Sequence, residues 1–355
     1  MFDQYLNLFD YPLSRDRIAQ VPAEPRDSSR LLHLNRETGK IKHFIFSDLV
    51  KLLKENDVLV FNQTKVIPAR LIGKKSTGGY AELLLIKQQQ SAQWKCIGRS
   101  RLKKSQKLLF NQDLQAEVLD VDNGGGILVE FNQKDQQFLQ TLDKLGNTPI
   151  PPYIANSLPE KELREKYQTV YAKYRGSAAA PTAGLHFTKK LLEELKNKNI
   201  SQQFVTLHVG LGTFQNLRPT QLKTGKLHAE FCQISQQTAD FLNKAKAQGK
   251  KIIAVGTTTT RVLESMTENG VLQAGAMQTR LFIKPEYRFK FVDKMITNFH
   301  LPKSSLLMLV SAFASYPQVN FKFNNFIDNP IGRAYLEAIE QKYRFFSFGD
   351  AMLIV

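Results

Sequence analysis

Cysteine is nearly absent: the 355 residues hold only Cys96 and Cys232, far apart and in no metal-ligand spacing. That excludes a disulfide framework and a cysteine-based zinc site, and it points to a reducing, cytoplasmic setting. No stretch of about eighteen apolar residues occurs, so a membrane-spanning helix is not expected, and the opening Met-Phe-Asp-Gln-Tyr-Leu lacks the basic and apolar regions of a secretory signal. The common nucleotide motifs are missing as well. There is no Gly-x-x-x-x-Gly-Lys-Ser/Thr loop, and Gly210-Leu-Gly212 fails as a dinucleotide fingerprint because Gln215 stands where the third glycine belongs. Acidic residues are outnumbered, 32 against 49 Lys and Arg, which leaves a net charge of +17. Such a balance points first to a polyanionic partner, nucleic acid, and otherwise to a lysine-solvated surface.

Charge is also missing locally. Residues 176–188 read Gly-Ser-Ala-Ala-Ala-Pro-Thr-Ala-Gly-Leu-His-Phe-Thr, thirteen positions without Asp, Glu, Lys or Arg in a chain that is 23% charged. Gly and Ala let a backbone approach another surface and Pro181 fixes one φ, so the stretch suits either the wall of a small-molecule site or a buried crossover.

What is present supports a folded, two-domain protein: the length exceeds one ordinary core and 42% of the residues are apolar. The run at 30–34 reads as a strand, 47–53 as a helix capped by Ser47, and 57–61 as a short buried strand of the parallel-sheet kind. Between residues 73 and 147 the pattern changes to short β-prone pieces separated by turn signals such as Thr77-Gly-Gly79 and Asn123-Gly-Gly-Gly126. This spacing predicts a small antiparallel β-barrel inserted into an α/β domain made of residues 1–72 and 148–355. Arg99-Ser-Arg-Leu-Lys-Lys104 on the barrel fits phosphate contact or protection of an exposed edge equally well.

All six histidines lie outside that insert. After it come a charged helix near 158–167, a helix capped by Thr188, a strand at 203–209, a second buried strand at 251–255, an apolar helix at 305–313, an amphipathic helix at 332–343 and a β-prone end at 344–355. Gly256, Thr257 and Thr258 turn the 251–255 strand into a helix whose start offers free N–H groups, a place for a carboxylate or phosphate or else an ordinary threonine cap.

Several of these segments carry a resemblance. Ala180-Pro-Thr-Ala-Gly-Leu-His-Phe187, Phe204-Val-Thr-Leu-His-Val-Gly-Leu-Gly-Thr-Phe214, Ile253-Ala-Val-Gly-Thr-Thr258, Asn298-Phe-His-Leu-Pro302 and Lys342-Tyr-Arg-Phe-Phe-Ser-Phe-Gly-Asp-Ala-Met352 closely resemble the S-adenosylmethionine:tRNA ribosyltransferase-isomerases of the queuosine pathway. Thr259-Thr-Arg-Val262 and Lys284-Pro-Glu286 depart from that family's usual pattern.

The resemblance implies an α/β domain with an inserted barrel, and transfer of the ribosyl unit of S-adenosylmethionine to a 7-aminomethyl-7-deazaguanine at the tRNA wobble position. S-adenosylmethionine would be consumed as a substrate, with no cofactor and no metal; the partner would be tRNA and the chain a monomer. The chemistry needs a base near neutrality, for which His186, His228 and Glu230 are candidates, and a proton donor to departing adenine, for which His300 is the candidate. Gly256, Thr257 and Thr258 would face the methionine carboxylate, and Arg70, Arg261 and Arg344 would meet phosphate or carboxylate. Thr182, Gly184, Gly210 and Gly212 would line the site. Two other classes fit parts of the sequence: a non-catalytic RNA-binding protein, and an S-adenosylmethionine-dependent methyltransferase.

Overall fold

The computed structural model describes residues 2–98, 101–111, 113–122, 125–151, 153–154, 158–210 and 217–355. A nine-stranded sheet organises most of the chain, in the order Gly275–Leu281, Lys226–Ile234, Ser201–Leu207, Asp57–Asn62, Lys251–Val255, Lys294–Asn298, Ala351–Ile354, Arg30–Leu34 and Ile41–Ile45. Its four middle strands, from Ser201–Leu207 to Lys294–Asn298, run parallel, and antiparallel pairs flank them.

Asp57–Asn62 is buried along its whole length because both faces of the sheet are covered. Alternate side chains go to opposite layers. Val58 and Val60 join Ile252, Ala254 and Leu207 in the core beneath the helices Gln236–Ala247, Thr257–Ser265, Ser305–Phe313 and Pro330–Glu340. Leu59 and Phe61 join Ile253, Val255 and Ile296 against the helix Lys189–Asn197 and Phe46.

The insert is a closed barrel of six antiparallel strands, running around it as Gly126–Phe131, Gln93–Gly98, Tyr80–Gln88, Arg70–Lys75, Lys107–Leu109 and Gln115–Val121. Leu83, Cys96, Val118 and Val129 fill its interior, and the helix Asp135–Leu145 adds Phe138 and Leu142 to the same cluster. The expected α/β fold with an inserted barrel is therefore the fold observed.

Some local expectations change. Residues 47–53 do not form one helix capped by Ser47. A 3-10 turn, Phe46–Asp48, leads into Leu49–Leu52, and the Asp48 carboxylate accepts the Ile45 N–H at 3.1 Å. The end of the chain is β only over Ala351–Ile354. Asp350, 1% exposed, accepts the backbone N–H groups of Arg344 (2.8 Å) and Arg30 (3.0 Å), which folds 344–350 into a turn instead of a strand.

The Thr188 cap is present: its hydroxyl accepts the Leu191 N–H at 3.1 Å and donates to Asp27 at 2.7 Å. Thr188→Ala removes both bonds, and urea unfolding is expected to show a loss of about 1 kcal/mol or slightly more.

Candidate active site

The parallel strands end on one side of the sheet, and a cavity of about 270 Å³ opens there. Gly256 makes the floor possible. The strand Lys251–Val255 stops at a residue with φ +89°, a conformation glycine adopts without strain, and the helix Thr257–Ser265 starts at once. A glycine cannot cap that helix with a side chain, so its first amides stay available and the helix dipole favours an anion in front of them. The uncharged stretch packs against this start: a Cβ on Gly256 would stand 3.5 Å from that of Ala183, which belongs to the 3-10 turn Thr182–His186.

Eight of the residues proposed from sequence line this cavity: Thr182, His228, Glu230, Gly256, Thr257, Thr258, Arg261 and His300. Glu230, on the strand Lys226–Ile234, bonds Arg261 Nη1 with one carboxylate oxygen, and with the other it accepts the Gly210 N–H at 2.9 Å. Arg261 Nε donates to the Leu281 carbonyl at 3.2 Å. His228 is half-buried two residues away on the same strand. Burial and the neighbouring Arg218 hold its imidazole below the usual 6.5, with Glu230 pulling the other way, so it is neutral at pH 7. A neutral imidazole beside a carboxylate–guanidinium pair can take up a proton.

His300 is deeply buried, bonded through Nε2 to the Thr297 hydroxyl at 2.9 Å, and burial lowers its pKa to about 3. It too is neutral, and as such can offer a hydrogen bond but not a full proton.

The remaining expected site residues stand elsewhere. His186 lies beneath the cavity, stacked on Phe46, with Nδ1 bonded to the Ser29 hydroxyl at 2.7 Å and Nε2 to Asn298 Nδ2 at 3.0 Å. Burial, then Arg344 and Arg26, lower its pKa to about 3. With both nitrogens already bonded, and the ring itself not lining the cavity, it is placed to position Asn298. Gly184 packs against Tyr171, whose hydroxyl lies 1.9 Å from where a Cβ would be. Gly210 serves through its amide, by holding Glu230.

Arg70 donates to the Ile150 carbonyl at 2.9 Å where the barrel joins the larger domain, and Arg344 bonds Asp350 at 3.2 Å; neither lines the cavity. Gly212 lies outside the described residues, as do Arg99 and Ser100 of the basic run, whereas Arg101, Lys103 and Lys104 are exposed. Among the described residues no group of three or more His, Cys, Asp or Glu is placed to hold a metal ion.

The cavity also recruits residues that sequence reading passed over. Asn298 and Thr297 stand beside His300, in a segment where sequence alone marks only the histidine. Tyr153 stacks on Phe346 at 4.6 Å and bonds the Ser347 hydroxyl at 2.9 Å.

Reactive groups gathered at the carboxyl edge of a parallel sheet, over an uncapped helix start, are the arrangement of an α/β enzyme's active site. The comparisons narrow this. Residues 6–354 match the family model described as queuosine biosynthesis protein, and the chain belongs to that family. Its relative from Caldanaerobacter subterraneus subsp. tengcongensis is 48% identical over 352 residues, 98% of each chain, and is named S-adenosylmethionine:tRNA ribosyltransferase-isomerase. A protein of the same name from Clostridioides difficile is 48% identical over 351 residues, again 98% of each. The crystal structure of an S-adenosylmethionine tRNA ribosyltransferase from Thermotoga maritima is similar to this one with a TM-score of 0.55 and 37% identity, covering 98% of this chain and 100% of the other. Among the described residues no helix is long and apolar enough to cross a membrane.

Proposed function

We propose that this protein transfers the ribosyl moiety of S-adenosylmethionine to 7-aminomethyl-7-deazaguanine at the wobble position of tRNA and isomerises it, giving epoxyqueuosine-tRNA with release of adenine and methionine. It acts in the cytoplasm as a monomer, with S-adenosylmethionine as a consumed co-substrate and no further cofactor. The observation that carries this reading is the neutral His228 beside the Glu230–Arg261 pair, in a cavity that an uncapped helix start also faces. The names of the relatives that match along the whole chain support the same reaction.

The positive sulfonium acidifies the ribose carbon bonded to it. His228 accepts that proton, and the attached carbon becomes the nucleophile for the rearrangement. Glu230 favours the imidazolium so formed, since its charge raises the pKa of His228. Amides at Thr257 and Thr258 receive the methionine carboxylate. His300 donates a hydrogen bond to the departing adenine, and the proton adenine needs comes from His228 or from water. His186 holds the wall in place through Asn298.

Incubation with S-adenosylmethionine and tRNA carrying the deazaguanine precursor is expected to release adenine and methionine in equal amounts. Formation of S-adenosylhomocysteine would identify a methyltransferase instead, and tRNA binding without adenine release would leave only a binding protein. Affinity for tRNA is expected to fall steeply with added salt, because a protein of net charge +17 displaces counterions from several phosphates. A flat response would show that the basic surface does not carry tRNA binding. Charge reversal at Arg101, Lys103 and Lys104 reads whether the barrel shares in it.

A further inference from the structure

Among the described residues, seven buried side-chain nitrogen or oxygen atoms have no hydrogen-bond partner; only two of them, Asn298 Oδ1 and Arg261 Nη2, belong to residues that line the cavity. They are opposite in kind, one an acceptor and one a donor. A polar atom buried without a partner destabilises the fold that holds it, and on a residue that lines a cavity it is a group whose bonding a ligand can complete.

Asn298 is the more constrained of the two. It ends the strand Lys294–Asn298 and is 3% exposed. Its Nδ2 donates to the Phe346 carbonyl at 3.2 Å and to His186 Nε2 at 3.0 Å. Since a carbonyl can only accept, the amide cannot be turned over without setting oxygen against oxygen. His186 Nε2 is then an acceptor, its proton sits on Nδ1, and that proton is donated to the Ser29 hydroxyl at 2.7 Å. Both Asn298 donors are used, and its oxygen alone is left.

The neighbourhood of Asn298 says what kind of group arrives. Phe346, whose carbonyl Asn298 bonds, stacks with Tyr153, and both residues line the cavity, a setting that suits a flat heteroaromatic ring. Arg261 belongs to the other flank, paired with Glu230 on a strand four places along the sheet from that of Asn298. A ligand that serves both flanks brings a donor attached to an aromatic ring to the first and an acceptor to the second.

Resting on the co-substrate reading above, we propose that Asn298 selects the base of the co-substrate: its Oδ1 accepts an N–H of the 6-amino group of adenine, and it turns away a purine with oxygen at that position. A 6-oxo group would set a second acceptor against Oδ1, and a purine bare at that position would leave Oδ1 unsatisfied. The interaction requires no movement of the amide, because His186 and Phe346 have already fixed it.

The test measures calorimetric binding of S-adenosylmethionine, its 6-desamino analogue, its 6-oxo analogue and its 2′- and 3′-deoxy analogues to the wild-type protein and to Asn298→Ala. Wild type is expected to bind the desamino analogue about tenfold more weakly than S-adenosylmethionine, and the 6-oxo analogue more weakly still. Asn298→Ala is expected to bind all three alike. Equal wild-type affinity for S-adenosylmethionine and the desamino analogue overturns the proposal whether or not the variant folds. A penalty confined to a deoxy analogue assigns Asn298 to the sugar and overturns it equally. Failure of wild type to bind S-adenosylmethionine at all is the separate result that removes the co-substrate reading itself, and this selection with it.

Discussion

Glu230→Gln is expected to slow adenine release at least about a hundredfold and to move the acid limb of the pH–rate profile to lower pH. Both effects come from the same neighbour. The Glu230 carboxylate raises the pKa of His228, which burial and Arg218 otherwise keep below 6.5. Without that charge, His228 holds its proton less well, so it stays neutral to lower pH and the limb shifts toward acid while the plateau falls. A residue that only supported the fold would lower the plateau and leave the limb where it was.

The substitution also strips Arg261 of its counter-charge in a setting where the two side chains are 8% and 5% exposed. Breaking a buried pair from one side costs about 3–5 kcal/mol, somewhat less here because the new amide still bonds, and chemical denaturation reads that cost. Adding Arg261→Gln is expected to return part of the stability and none of the rate. Turnover within tenfold of the parent, with the acid limb unmoved, would take Glu230 out of the chemistry.

Gly184→Ala is expected to lower the melting temperature by a few degrees and to leave affinity for S-adenosylmethionine, per folded molecule, unchanged. A Cβ there would meet the Tyr171 hydroxyl at 1.9 Å and Thr169 Cγ2 at 3.0 Å. Tyr171 cannot simply swing aside, since its ring packs on Phe61 at 4.9 Å and on Phe204 at 5.8 Å. Overpacking of this kind costs roughly 1–3 kcal/mol. The Tyr171 hydroxyl has no hydrogen-bond partner, so Tyr171→Phe removes the obstacle at little cost and is expected to rescue most of the loss. A double-mutant cycle with no coupling between the two positions would refute the contact, and weakened binding in a stably folded Gly184→Ala would move this glycine into the cavity wall.

The layers of this fold were legible wherever a local pattern dictates structure. The apolar run 58–61 that follows Asp57 announced a strand covered on both faces, Thr188 announced a helix start, and the closely spaced turns after residue 73 announced a barrel. The cavity was legible in part, because Gly256 and the threonines after it mark a tight strand-to-helix turn within a few residues. His186 shows where sequence stops. The sequence offered it as a base on the same footing as His228, yet the ring of His228 is half-buried at the cavity while that of His186 lies beneath it, bonded on both sides, and only the packing of Phe46, Ser29 and Asn298 makes that difference. Asn298 is the converse case: an asparagine two residues before a histidine carries no signal in the sequence, and only the folded contacts show both of its donors spent. Arg70 and Arg344 carry the charge an anion site needs, but a carbonyl and a carboxylate distant in sequence or around a turn had already claimed them.

The place of Ala351–Ile354 in the sheet has a bearing on synthesis. These four residues are interior, pairing in parallel with Arg30–Leu34 on one side and antiparallel with Lys294–Asn298 on the other. Until they emerge from the ribosome, Arg30–Leu34 and Ile41–Ile45 have no sheet to join. At a typical pace of about 5–20 residues per second, the early strands wait roughly 15–60 s for the partner that ties them in. The barrel is contiguous in sequence and can close within that interval. A chain that lacked Ala351–Ile354 would therefore have a finished barrel and an open sheet, exposing strand edges to other chains.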